Sequence, residues 1–254
     1  MTRFQGKTVI VTGAGSGIGA ATVERFAKEG ANVVLVGRTE RKLESVQAGL
    51  AGAPSLVVVA DISDWDDAQR MVKTTLETFG AVDVLVNNAG VATMGMIDQI
   101  DIDEYRKAMA IDVDGVFYAT RAAWASLKAS KGNVVNTSSV SGLGGDWGMF
   151  AYNAAKGAVS NMTRALALDA SRSGVRVNAV APTLTMTDMA DDLRRDKEKM
   201  GKFAERIPLG RGAEPAEVAA VITFLASADA GFVNGVVLPV DGGLSASNGQ
   251  PPLG

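Results

Sequence analysis

Seven short runs rich in β-branched residues punctuate this 254-residue chain: Thr8–Thr12, Asn32–Val36, Leu56–Val59, Val82–Val86, Asn133–Thr137, Val175–Val180 and Val236–Val240. They constrain the fold more than any other feature. The first six are nearly continuous in apolar residues instead of alternating, as expected of strands buried on both faces of a parallel sheet. Between the runs lie segments with helical spacing, among them Ala20–Lys28, Arg41–Leu50, Asp66–Phe79, Glu104–Lys128 and Ala154–Ala170. Strand–helix alternation from end to end predicts a doubly wound α/β fold, with a seven-stranded, mostly parallel sheet flanked by helices on both faces. No linker or composition break divides the chain, so residues 1–254 are expected to form one domain.

Two stretches interrupt the rhythm. Residues Thr183–Pro208 hold no strand and include the charged, helix-like stretch Asp191–Lys202, which makes about 183–208 a candidate lid at the carboxyl ends of the strands. The alternative is a solvated helical excursion. The tail, about 245–254, is small, polar and proline-containing, and is expected to be flexible unless a partner subunit orders it.

The first strand runs into Gly13-Ala14-Gly15-Ser16-Gly17-Ile18-Gly19, which opens the first helix. Glycines there allow a tight turn and let the backbone approach a pyrophosphate at the helix N-terminus, where free N–H groups and the dipole favour an anion. The strict Gly-x-Gly-x-x-Gly spacing fails at Ile18, yet a strand before and a helix after make this a Rossmann-like nucleotide loop. An acidic residue normally follows the second strand when the cofactor is NAD. Here that strand ends in Val36-Gly37-Arg38-Thr39. The guanidinium of Arg38 suits a 2′-phosphate, so NADP(H) is favoured over NAD(H). Neither Ala14 nor Ser16 supplies a second cation.

Composition removes most chemical rivals. The chain has no His and no Cys, which excludes Ser-His-Asp triads, thiolate nucleophiles and His/Cys zinc sites. Proton transfer falls to Tyr, Lys, Asp or Glu. Four residues beyond Tyr105, Tyr118 and Tyr152 stand Met109, Ala122 and Lys156. Only Tyr152 therefore has a cation on its own helical face. A net charge of −3 argues against a general nucleic-acid binder. No apolar run approaches the ~20 residues of a membrane span, and Met1–Lys7 lack the apolar stretch and small-residue cleavage site of a signal peptide. A soluble cytoplasmic protein is expected.

Thr12–Gly19, Asp61-Ile62, Asn87–Gly90, Ser139, Tyr152-x-x-x-Lys156, Pro182 with Thr187, and Asp241–Gly243 resemble, in order, the short single-domain branch of the short-chain dehydrogenase/reductase family. The resemblance covers nearly the whole chain. It implies a catalytic set of Ser139, Tyr152 and Lys156, an adenine contact at Asp61 with Ile62 beside it, and a cofactor-cleft loop including Asn88, Ala89 and Gly90. It further implies a nicotinamide carboxamide held by Thr187 near Pro182, and a homotetramer. Two positions depart from the family pattern. Thr183 follows Pro182 where glycine is commoner, and Asp112 stands where many members carry a catalytic asparagine. Asp112 either preserves a proton relay while biasing Lys156 electrostatically, or simply occupies a helix kink.

The chemistry so implied is hydride exchange with a nicotinamide between a small ketone and a secondary alcohol. Free tyrosine, with a pKa of ~10, is a poor shuttle at neutrality, and Lys156 supplies the positive charge that favours its phenolate. Candidate substrate residues are Met94, Trp147, Met186 and Met189, with Met96, Gly145 and Met149 nearby in sequence. They suggest an apolar, adaptable pocket. Three readings are carried forward: a carbonyl reductase or alcohol dehydrogenase, which is favoured; a 3-oxoacyl-thioester reductase; and a non-catalytic cofactor sensor. The second calls for a basic patch, for which Arg194, Arg195, Lys197, Lys199 and Lys202 are candidates, diluted by Asp191, Asp192, Asp196 and Glu198.

Overall fold

The computed structural model describes residues 2–250. The end of the expected flexible tail, 251–254, lies outside the described residues. All seven expected strands form one sheet: β1 (Thr8–Thr12), β2 (Asn32–Gly37), β3 (Ser55–Val59), β4 (Val84–Asn87), β5 (Asn133–Thr137), β6 (Arg176–Pro182) and β7 (Val237–Val240). Their order is β3-β2-β1-β4-β5-β6-β7, and every pairing is parallel. This is the doubly wound Rossmann-like sheet.

The continuous apolar runs follow from burial on two faces. Along β1, Val9 and Val11 point into one core cluster and Ile10 into the other. The first cluster packs α1 (Gly17–Lys28), α2 (Glu40–Ala48) and α9 (Pro215–Ala226) through Val23, Phe26, Leu43, Val218 and Ile222. The second packs α3 (Trp65–Phe79), α5 (Gly115–Ser130) and α6 (Phe150–Asp169) through Met71, Val72, Ala123, Leu127 and Ala167. Local signals set the boundaries. Asp64 caps α3 by accepting from the Asp67 amide, and Gly80 ends it in the left-handed region at φ 79°. Pro215 opens α9 beside a Glu214–Glu217 capping box.

The single long helix suggested by Glu104–Lys128 is broken. α4 (Ile102–Met109) and α5 are joined by a π-helical turn over Ala110–Asp114. One extra residue per turn rotates the face presented to the core, and Asp112 becomes completely buried. The Thr183–Pro208 excursion contains α7 (Asp191–Arg195) and α8 (Lys197–Arg206), and a bridge pairs Thr185 with Ala213. Near the chain end, Ser245 donates to the Asp241 carboxylate from both its amide and its hydroxyl.

The strand order reverses between β1 and β4, and the crevice beyond their carboxyl ends is where such sheets bind ligands.

Candidate active site

The floor of the crevice is the glycine loop. Gly13 and Gly17 hold φ values of 66° and 54°, in the left-handed region that side chains disfavour. A Cβ on Gly19 would lie 2.1 Å from the Gly13 carbonyl oxygen, so no larger residue fits there. Ser16 stands before α1 in extended backbone, and its side chain makes no cap hydrogen bond. The Ser16 side chain thus leaves the first-turn amides of α1 uncapped. Ile18 packs, partly buried, against the first core cluster.

The loop after β4 is stitched to this floor. The amides of Asn88 and Ala89 donate to Thr12 Oγ1 at 3.0 and 3.1 Å, and Asn88 Nδ2 donates to the Thr12 carbonyl at 3.1 Å. Gly90 passes so close to the interior that a Cβ would meet Asp112 Oδ1 at 2.4 Å and Lys156 Nζ at 3.1 Å. From the other side Thr187 leans over the loop, its Cγ2 2.8 Å from where a Gly17 Cβ would stand. A narrow, glycine-floored cradle at a helix N-terminus fits a dinucleotide pyrophosphate.

At the end of β2, Arg38 projects into solvent with Nη1 3.8 Å from Asp61 Oδ2. Asp61 Oδ1 is engaged by the amide and hydroxyl of Ser63 at 3.0 and 2.7 Å. Ile62 is buried against Gly115. Sequence reasoning found no second cation in the glycine loop, but Lys42 of α2 packs against Gly15 and reaches to 3.5 Å from Asp188 of the excursion. Its spacing after Arg38 was the available signal.

The proton-transfer candidates converge between β5 and α6. Tyr152 and Lys156 share a face of α6, with Lys156 Nζ 5.6 Å from the phenol ring centre. Lys156 is buried and donates to the Thr137 carbonyl at 3.1 Å. Asp112 Oδ1 lies 3.5 Å from the same ammonium and accepts from the Val91 amide at 3.0 Å. Its Oδ2 is buried with no hydrogen-bond partner among the described residues. Burial pushes the Asp112 carboxyl up, against the opposing pull of Lys156 and the Val91 amide.

Ser139 is buried at the end of β5, where its hydroxyl lies 3.4 Å from the Pro182 carbonyl and 3.1 Å from Ser141 Oγ. Ser141 Oγ in turn donates to Asp146 Oδ2. Sequence reasoning passed over Ser141, Asp146 and Asn153, whose side-chain amide clamps both backbone groups of Asp146. An ordinary serine and aspartate in a glycine-rich loop, and an asparagine in α6, carry no distinguishing spacing.

The four substrate candidates separate. Met94, Trp147 and Met189 are exposed, Trp147 at 98%. The Met94 and Trp147 segments are joined by the Gly95 amide donating to the Gly148 carbonyl at 2.7 Å. Met186 instead lines a cavity of about 350 Å³ with Met200, Phe203 and Gly212, among others, which includes none of the other three.

A family model described as Enoyl-(Acyl carrier protein) reductase matches residues 13–245. The chain is similar to the meso-2,3-butanediol dehydrogenase of Serratia marcescens, with 48% identity over 99% of each chain. It is 38% identical to the NADP-dependent (R)-specific alcohol dehydrogenase of Lentilactobacillus kefiri, over 96% of this chain and 98% of that one. Among solved structures, levodione reductase superposes with a TM-score of 0.93 at 36% identity, covering 96% of this chain and 99% of the other.

Proposed function

Because this chain belongs to the short-chain dehydrogenase/reductase family, an oxidoreductase family using NAD(P)(H), we propose that it interconverts a small ketone and a secondary alcohol through Ser139, Tyr152 and Lys156. NADP(H) is the favoured cofactor and carbonyl reduction the favoured reading. The observation that carries the proposal is the convergence of buried Ser139, half-buried Tyr152 and buried Lys156 beside a dinucleotide-shaped cradle.

The glycine loop would hold the pyrophosphate, with Asn88, Ala89 and Gly90 closing one side and Pro182 and Thr187 the other. Asp61 and Ile62 would flank the adenine. The nicotinamide, when bound, supplies or removes hydride. Ser139 donates a hydrogen bond to the carbonyl oxygen and orients it. Tyr152 gives that oxygen its proton in reduction and takes it back in oxidation. Lys156, fixed by Thr137 and Asp112, places a positive charge where the phenolate forms. Asp112 tempers that charge, which favours its electrostatic role over a mere helix kink. Met94, Trp147 and Met189 are proposed as apolar walls beside a lid at about 183–208, with Met186 set apart in its own cavity.

Arg38 at the cofactor rim, with Lys42 on the neighbouring helix, supports NADP(H). The name of the L. kefiri relative points the same way. The thioester reading finds less support, because the basic residues of the excursion are offset in pairs: Arg194 with Asp191, Lys199 with Asp196, Lys202 with Glu198. A non-catalytic sensor would have no need of a Ser-Tyr-Lys set with its serine and lysine buried. Exposed Phe117 on α5 and Leu168 on α6 support self-association as a homotetramer. Among the described residues no helix is long and apolar enough to cross a membrane.

The test is a fluorescence titration with NADPH and NADH in parallel. Tighter NADPH supports the reading, tighter NADH overturns the Arg38 assignment, and binding of neither overturns the enzyme reading.

A further inference from the structure

Ser139 does not stand alone at the end of β5. Its Oγ is within 3.1 Å of Ser141 Oγ and also accepts from the Ser141 amide at 3.2 Å. The Ser141 hydroxyl donates to Asp146 Oδ2 at 2.5 Å. A hydroxyl whose proton is committed to a carboxylate offers only lone pairs to its other neighbours. A short polar row thus leads from the catalytic hydroxyl to a carboxylate.

That carboxylate is held in place on purpose-built backbone. The Asp146 amide donates to Asn153 Oδ1 at 3.2 Å, and Asn153 Nδ2 donates to the Asp146 carbonyl at 2.8 Å. Asn153 follows Tyr152 directly in α6, so the clamp ties Asp146 to the helical turn that carries the proposed acid/base. Asp146 is exposed, and among the described residues its Oδ1 takes no hydrogen bond. Around it there is room, since a Cβ on Gly144 or Gly145 would meet nothing within 4 Å. The neighbouring exposed side chains, Trp147 and Met94, are apolar.

We infer that Ser141 and Asp146 form a subsite for a second substrate oxygen, so that the preferred substrates are vicinal diols and the matching hydroxyketones. This rests on the alcohol–ketone reading above. Adjacent oxygens of a vicinal diol lie about 2.8 Å apart, close to a hydrogen-bond length, and the two serine hydroxyls are spaced at 3.1 Å. With one substrate oxygen on Ser139, the other falls alongside Ser141, where its proton can go to Asp146 Oδ1. A carboxylate accepts strongly from a hydroxyl and repels an anion. The subsite therefore selects neutral polyols over hydroxy acids and phosphate-bearing carriers. Asp146 is a specificity-determining residue and Ser141 the positioning residue that aims it.

The experiment compares kcat/KM for 2,3-butanediol and 2-butanol oxidation in the wild-type protein, Asp146→Asn and Ser141→Ala, with one cofactor. The wild type is expected to prefer the diol, and each variant to lower the diol-to-monoalcohol ratio about tenfold, the effect of one good hydrogen bond to a charged group. A merely structural role for either residue would slow both alcohols alike; an unchanged ratio in both variants, or a wild type without diol preference, overturns the subsite. Turnover of 2-butanol alongside that result would leave the alcohol–ketone reading standing. Turnover of neither alcohol by the wild type overturns both.

Discussion

Lys156 Nζ stands 3.5 Å from Asp112 Oδ1, with both side chains closed off from solvent. The carboxylate is a partial counter-ion to Lys156, whose Nζ lies 5.6 Å from the centre of the Tyr152 ring. Burial raises the Asp112 carboxyl and Lys156 opposes that rise. The pair is therefore sensitive to a change in either member. Asparagine at position 112 has nearly the same shape and carries no charge. Asp112→Asn is expected to leave Lys156 unopposed and to favour the phenolate. The pH–rate profile of alcohol oxidation should then move to lower pH. A pH–rate profile superposing on that of the wild type would return Asp112 to a structural role.

Arg38 reaches solvent at the rim of the cradle, and its nearest acidic neighbour is the half-buried Asp61. Arg38→Ala is expected to weaken NADPH binding by roughly tenfold or more, the effect of losing hydrogen bonds to a charged group. NADH binding should hardly change. Because the site is exposed, NADPH affinity should also fall as ionic strength rises. Isothermal titration of both cofactors at two salt concentrations checks each point.

Stability offers a separate test at the amino-terminal end of the sheet. Glu29 accepts from Arg3 Nε and Nη2 at 2.6 and 2.8 Å and from Arg25 Nε at 2.6 Å. The Arg3 hydrogen bonds, aided by Arg25, hold its carboxyl below the usual range despite partial burial. A carboxyl lowered in the folded state stabilises it above the unfolded value of about 4.3, and that contribution is lost as pH falls through the folded value. Glu29→Gln should therefore cost about 2 kcal/mol at pH 7. The difference from the wild type should shrink below pH 4. Thermal melts across that range would reveal a pH-independent difference if the pairing were not the cause.

Much of this architecture is legible in the residues themselves. β1, β2, β4, β5 and β6 announce themselves because burial on both faces forbids polar alternation, as the opposed clusters around Val9 and Ile10 show, while the edge strand β3 keeps an apolar run although it is only partly buried. Tyr152 and Lys156 are legible because helical spacing of four places them on one face. The π-helical turn at Ala110–Asp114 is not, since an inserted residue changes the direction of a helix without changing its hydrophobic content. The Ser141–Asp146–Asn153 contacts are equally silent. They depend on how a glycine-rich loop folds back on α6, which no periodicity encodes. Nor does spacing reveal that Met186 lines a cavity while Met94 and Trp147 stand exposed outside it.

In the proposed reaction the Tyr152 hydroxyl moves the proton while Lys156 and the glycine loop hold the cofactor. Tyr152→Phe removes one oxygen and leaves the α6 packing in place. The decisive measurement is turnover of 2-butanol by this variant alongside its NADPH affinity. A loss of kcat by about 10³-fold, within the range set by proton-transfer groups, with affinity within roughly twofold of the wild type, is the predicted result. Substantial residual turnover at unchanged affinity would contradict the claim.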